Sequence, residues 1–106
     1  MRLSPRDREL LLTHVAADLA RKRRDQGIML NYPEALAIVV SYVLEEARSG
    51  RQGVDDLVNS ACNVVHRGEC MEGIAEMMRD IAVEATFPDG TKMVVLQQPI
   101  ASGRWR

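Results

Sequence analysis

Aromatic side chains are scarce in this sequence: one Trp, two Tyr and one Phe among 106 residues. Such a chain has little with which to build a base-stacking platform for single-stranded nucleic acid. Cysteine is nearly absent too, and two residues do not make a disulfide framework. Only two histidines are present, His14 and His66, too few for a two-metal hydrolytic centre. No apolar run approaches the ~20 residues that span a bilayer, so no membrane segment is expected. No single sign of charge dominates. Fourteen Lys+Arg face fifteen Asp+Glu for a net charge of -1, which argues against a nucleic-acid binder. Met1-Arg2-Leu3-Ser4-Pro5 followed by charges lacks the apolar core of a signal peptide. A reduced, cytoplasmic setting is the expectation.

What remains is ordinary globular material. Apolar residues are 46% and charged residues 27% of the chain. At this length one domain is expected, hiding ~65% of its unfolded surface. Ser4-Pro5-Arg6-Asp7 reads as a helix start, with Ser4 as cap, Pro5 at the first helical position and an acid three residues on. The helix predicted from it runs to Gln26 and stops at Gly27. Leu11, Leu12, Val15, Ala16 and Leu19 form one apolar arc, expected to face the core. Asp7, His14, Asp18, Arg21 and Asp25 fall on the polar side.

Asn31-Tyr32-Pro33-Glu34 repeats the signal, and a second helix should end near Ser49, before Gly50. Its main face is Tyr32, Leu36, Val39, Val40, Val43, Leu44 and Ala47. Ala35, Ile38 and Tyr42 lie outside that arc. A helix apolar over most of its circumference wants burial on all sides, and so small a chain suggests a partner surface to provide it. Val54, Leu57, Val58, Ala61 and Val65 predict a third helix broken at Gly68, and Met71, Ile74, Ala75 and Met78 a short fourth. After Asp80 the period changes to two. Ile81, Val83, Ala85 and Phe87 lead into Pro88-Asp89-Gly90 and then Thr91 to Leu96, a hairpin signal with Gly90 at positive φ. A lone hairpin is marginal in water, so it must pack on the helices or on a partner. Gln97 to Arg106 reads as irregular. The expected fold is α+β and mainly helical, about four helices followed by a C-terminal β-hairpin.

Four constellations could carry chemistry. Cys62, His66 and Cys70 would share a face of an unbroken helix and offer zinc-type ligands, but Gly68 interrupts them and a fourth ligand is missing. Small buried residues and a surface histidine are the simpler reading. His14 and Asp18 are four apart on a helix, a spacing open to a metal or a general base, yet a solvated pair accounts for them as well. Arg21-Lys22-Arg23-Arg24 could touch phosphates, but cations also complement the C-terminal end of a helix dipole. Met71, Met77 and Met78 suit either a core or an adaptable interface. Glu69, Glu72, Glu76, Asp80 and Glu84 form no acid/base pair. No phosphate loop or nucleophile elbow is present, and no catalytic, cofactor-binding or metal-binding residue is assigned.

Whole segments nevertheless resemble the gamma (small) subunit of bacterial nickel urease. They are Met1-Arg2-Leu3-Ser4-Pro5-Arg6, Leu30-Asn31-Tyr32-Pro33-Glu34-Ala35, Glu46-Ala47-Arg48-Ser49-Gly50-Arg51, Met71-Glu72-Gly73-Ile74-Ala75-Glu76-Met77 and Val83-Glu84-Ala85-Thr86-Phe87-Pro88-Asp89-Gly90-Thr91-Lys92. Gln98-Pro99-Ile100 matches the family's close. The resemblance covers residues 1–100, with 101–106 as an extra irregular tail. Ala75 stands where the family usually has proline, and Cys62 and Cys70 are not typical of it. The resemblance implies a non-catalytic structural subunit of an enzyme that hydrolyses urea to ammonia and carbamate. It implies alpha and beta subunits as partners in a trimer of heterotrimers, with nickel held by the alpha subunit and none here. A stand-alone interaction or regulatory module on the same fold is the alternative.

Overall fold

The structure, a computed structural model, describes residues 2–101. Helix α1 spans Pro5–Asp25. Its start is the expected capping box: Ser4 Oγ accepts from the Asp7 amide at 3.0 Å, and Asp7 accepts from the Ser4 amide at 3.1 Å. Gly27, at φ 80°, follows its end. Helix α2 spans Tyr32–Ser49, and Asn31 and Glu34 cap it reciprocally at 2.9 Å. Gly50 closes it in the left-handed conformation at φ 71°.

Helix α3 spans only Val54–Ala61. The longer helix expected through Val65 does not form. Val64 and Val65 are β-branched and poorly suited to helix, and Val65 has a better use. Strand β1, Val65–His66, pairs in parallel with β4, Ile100–Ala101. The stretch expected to be irregular after Gln97 is therefore partly ordered, with Pro99 and Ile100 buried. The remaining tail, residues 102–106, lies outside the described residues. Arg67–Glu69 makes one 3-10 turn and α4 is a single turn, Ile74–Met77. An isolated bridge between Leu30 and Cys70 ties this region to the start of α2.

Strands β2, Asp80–Phe87, and β3, Gly90–Gln97, form the expected antiparallel hairpin in unbroken register, from Asp80↔Gln97 to Phe87↔Gly90. Pro88 and Asp89 make the turn, and Gly90 has φ 136°. Val83, Ala85, Phe87, Val94 and Leu96 point inward, whereas Met93 and Val95 point out. The fold class is as expected: α+β, mainly helical, with the strand pair near the C-terminus.

Helix α2 is the centre of the molecule. Ile38, Val39 and Val43 are fully buried, and α1, α3, β1 and β2 all pack against α2. Its apolar circumference is thus covered by the chain's own elements. Tyr32, Leu36, Val40, Tyr42 and Leu44 are half-buried against the same core.

Helix α1 sits opposite to expectation. Its buried residues are Ala17 and Ala20, and His14 and Arg21 lie half-buried beside them. The arc expected in the core points to solvent: Leu11 is 53% exposed, Leu12 66%, Val15 57% and Leu19 47%. Small residues let α1 approach α2 closely, so the alanine face wins the contact and the large aliphatic face is left outside.

Candidate functional site

Two features stand out among the described residues, a charged cleft and the outward face of α1. The cleft has a volume of about 400 Å³ and lies between α1, α2 and β2. Arg6, His14, Glu45, Arg48 and Glu84 line it. Arg6 donates to the Glu84 carbonyl at 3.2 Å. His14 Nδ1 lies 2.8 Å from Ser41 Oγ, and its Nε2 is 3.9 Å from a Glu45 carboxylate oxygen. Residues 27 apart in sequence meet there, which no local spacing could have revealed. The trio has the composition of a hydrolytic triad but not its access. Ser41 is 2% exposed, so its hydroxyl cannot reach a substrate carbonyl. The hydrogen bond satisfies a buried polar group.

The four constellations disperse. His14 turns toward α2, while Asp18 is exposed and pairs with Arg21 at 3.0 Å. The basic run is used for tethering. Arg23 bonds Glu34 at 2.5 Å, while Arg24 donates to the Val64 carbonyl at 3.1 Å and lies 3.6 Å from Glu69. The capping contact with Asn31, and then Arg23, holds the Glu34 carboxyl below its usual range. Met78 is buried, whereas Met71 and Met77 are exposed.

Cys62, His66 and Cys70 fall on the end of α3, on β1 and after the 3-10 turn, not on one helix. Cys70 Sγ contacts the His66 carbonyl at 3.6 Å. Burial, aided by Glu69, pushes the Cys70 thiol up to about 11, and burial also raises Cys62. In the free chain burial thus disfavours the thiolate, the form in which cysteine ligates a metal. His66 Nδ1 is buried and finds no hydrogen-bond partner among the described residues. No three metal-ligating side chains converge among the described residues. This donor set does not fit a pair of metals ~3.5–4 Å apart held by histidines and carboxylates.

Among the described residues, then, the outward face of α1 is left as an exposed apolar stripe. The family model described as "Urease, gamma subunit" matches residues 1–100. The "Urease subunit gamma" of Streptomyces coelicolor is 52% identical over 100 residues, covering 94% of this chain and 99% of that protein. That of Frankia alni is 54% identical over 101 residues, covering 95% and 100%. This chain belongs to the urease gamma-subunit family. No helix among the described residues is long and apolar enough to cross a membrane.

Proposed function

We propose that this chain is a non-catalytic structural subunit of a nickel urease, assembling with larger alpha and beta chains into a trimer of heterotrimers in the cytoplasm. One observation carries the reading: the match to urease gamma subunits runs from end to end of those proteins. The urea-hydrolysing metals belong to the alpha chain in this reading. It is supported by the two histidines being in separate elements and by the raised thiols. No step of urea hydrolysis is assigned to a residue of this chain. Its part is to hold the assembly in shape, as a domain formed by residues 1–100.

The test is to express the alpha and beta chains with and without this chain, and to assay urea hydrolysis and nickel in the purified material. A three-chain complex that binds nickel and hydrolyses urea is expected, with the gamma chain alone inactive. Full activity of an alpha–beta complex lacking it would defeat the reading, as would hydrolysis by the purified chain.

A further inference from the structure

We propose that the outward face of α1 is the surface on which a larger urease chain docks, through an apolar groove with carboxylates at its ends. This rests on the subunit reading above. Leu12, Val15 and Leu19 follow each other at helical spacing, and Leu11 widens the stripe. At 100° per residue the stripe is centred opposite the Ala17 and Ala20 face that contacts α2. Among the described residues nothing covers it: all four residues are about half exposed or more. Scattered surface leucines need no explanation, but a contiguous stripe on one helix marks an interaction site.

Charge selects the occupant. Arg8 and Lys22 lie within the arc of the stripe, one turn before and one turn after it, roughly 21 Å apart at 1.5 Å per residue. Both are exposed, and neither joins an ion pair among the described residues. A second copy fits badly. Antiparallel pairing centred on Val15 sets Arg8 against Lys22 at both ends, and parallel pairing sets each cation against its own copy. Like charges facing each other destabilise either arrangement. An anionic membrane also fits badly, because Glu9, Asp18 and Asp25 border the same helix and are exposed. A protein groove, apolar along its floor and acidic at its ends, satisfies the leucines and both cations. The buried Ala17 and Ala20 lie on the opposite side of the helix, so docking on the stripe would leave the chain's own core undisturbed.

The experiment uses the full chain co-expressed with its cognate alpha and beta chains. The variants are Leu12→Glu with Leu19→Glu, and separately Arg8→Glu with Lys22→Glu. Circular dichroism and thermal melting of each isolated variant check the fold. The leucine variant should fold as the wild type does yet lose co-assembly by about tenfold or more, since a buried carboxylate without a partner is costly. The charge variant should assemble more weakly and lose much of its dependence on salt. Failure of the wild-type chain to co-assemble defeats the subunit reading and this inference with it. Wild-type assembly that survives Leu12→Glu/Leu19→Glu unchanged overturns this inference alone. So does either of two further results with assembly unaffected: a wild-type dimer in solution that the leucine variant abolishes, or binding to phosphatidylcholine–phosphatidylglycerol vesicles that it abolishes.

Discussion

Gly50→Ala tests whether the hairpin turn is seated on the end of α2. Gly50 has φ 71°, and a Cβ built there would lie 2.7 Å from Cγ of Pro88 and 3.3 Å from its Cδ. Two costs follow. A residue with a Cβ in the left-handed region costs ~1 kcal/mol. Forcing a methyl into an occupied space costs ~1–3 kcal/mol, and a proline ring is not a flexible tip that can swing aside. The sum is ~2–4 kcal/mol, a large fraction of the stability of a small domain. At ~4 °C or more per kcal/mol for this size, the melting temperature should fall by at least ~8 °C. The double variant with Pro88→Ala separates the two costs. Removing Cγ and Cδ relieves the overlap but leaves the backbone penalty, so the double variant should be more stable than the sum of the singles by ~1 kcal/mol or more. Guanidinium chloride unfolding of the isolated chain, followed by circular dichroism, measures all four corners of the cycle. A Gly50→Ala cost below ~0.5 kcal/mol, or strict additivity with Pro88→Ala, would refute the packing of turn against helix end.

Acid and thiol chemistry supply two further checks. Because capping and Arg23 lower the Glu34 carboxyl, its stabilisation is present above the usual 4.5 and is lost as pH falls through the depressed folded value. Glu34→Gln should flatten that part of the melting-temperature curve below pH 4.5 without abolishing it, since Asp7, Glu46, Glu76 and Asp89 are lowered as well; an unchanged curve would count against the Glu34 contacts. With its thiol pushed up to about 11 and its side chain 4% exposed, Cys70 should resist iodoacetamide in the native chain at neutral pH and react only on unfolding. Mass spectrometry showing Cys70 labelled as fast as the half-buried Cys62 would contradict this.

Local signals were readable and distant ones were not. Ser4 with Asp7 and Asn31 with Glu34 are three residues apart, so each capping box could be read directly. The same holds for the alternation of Ile81 to Phe87 and the turn at Pro88–Gly90, where the register follows from the turn itself. The family was legible because runs such as Asn31–Ala35 and Val83–Lys92 are long and specific. The pairing of Val65 with Ile100 was not, being two residues long and 35 apart. Once it forms, it withdraws Val65 from the helix that its spacing suggested, and with it the common face for Cys62, His66 and Cys70. The contact of His14 with Ser41 was hidden for the same reason. The α2 helix did carry the apolar circumference that was read from it, but α1, α3 and the hairpin supplied its cover.

The reversal of α1 has a different cause. Hydrophobic periodicity finds the apolar face of a helix but does not say which of two faces turns inward. On α1 one face holds Leu11, Leu12, Val15 and Leu19, and the other holds Ala17 and Ala20 with His14 between polar neighbours. Burying the first would gain more area within the chain. Burying the second permits close approach to α2 and lets His14 satisfy Ser41, which would otherwise be a buried hydroxyl without a partner. The leucines are then free for a surface beyond the chain, where their burial contributes to assembly rather than to folding. This makes opposite predictions for two substitutions that sequence patterning would rank the other way. Ala17→Leu inserts three carbons into a contact whose residue is fully buried, and should cost the isolated chain ~1–3 kcal/mol by overpacking. Leu12→Lys replaces an exposed side chain and should stay within ~0.5 kcal/mol. Chemical denaturation of the two isolated variants decides between the orientations. If Leu12→Lys unfolds the chain while Ala17→Leu is tolerated, α1 packs by its leucine face after all, and the outward surface that the assembly argument needs does not exist.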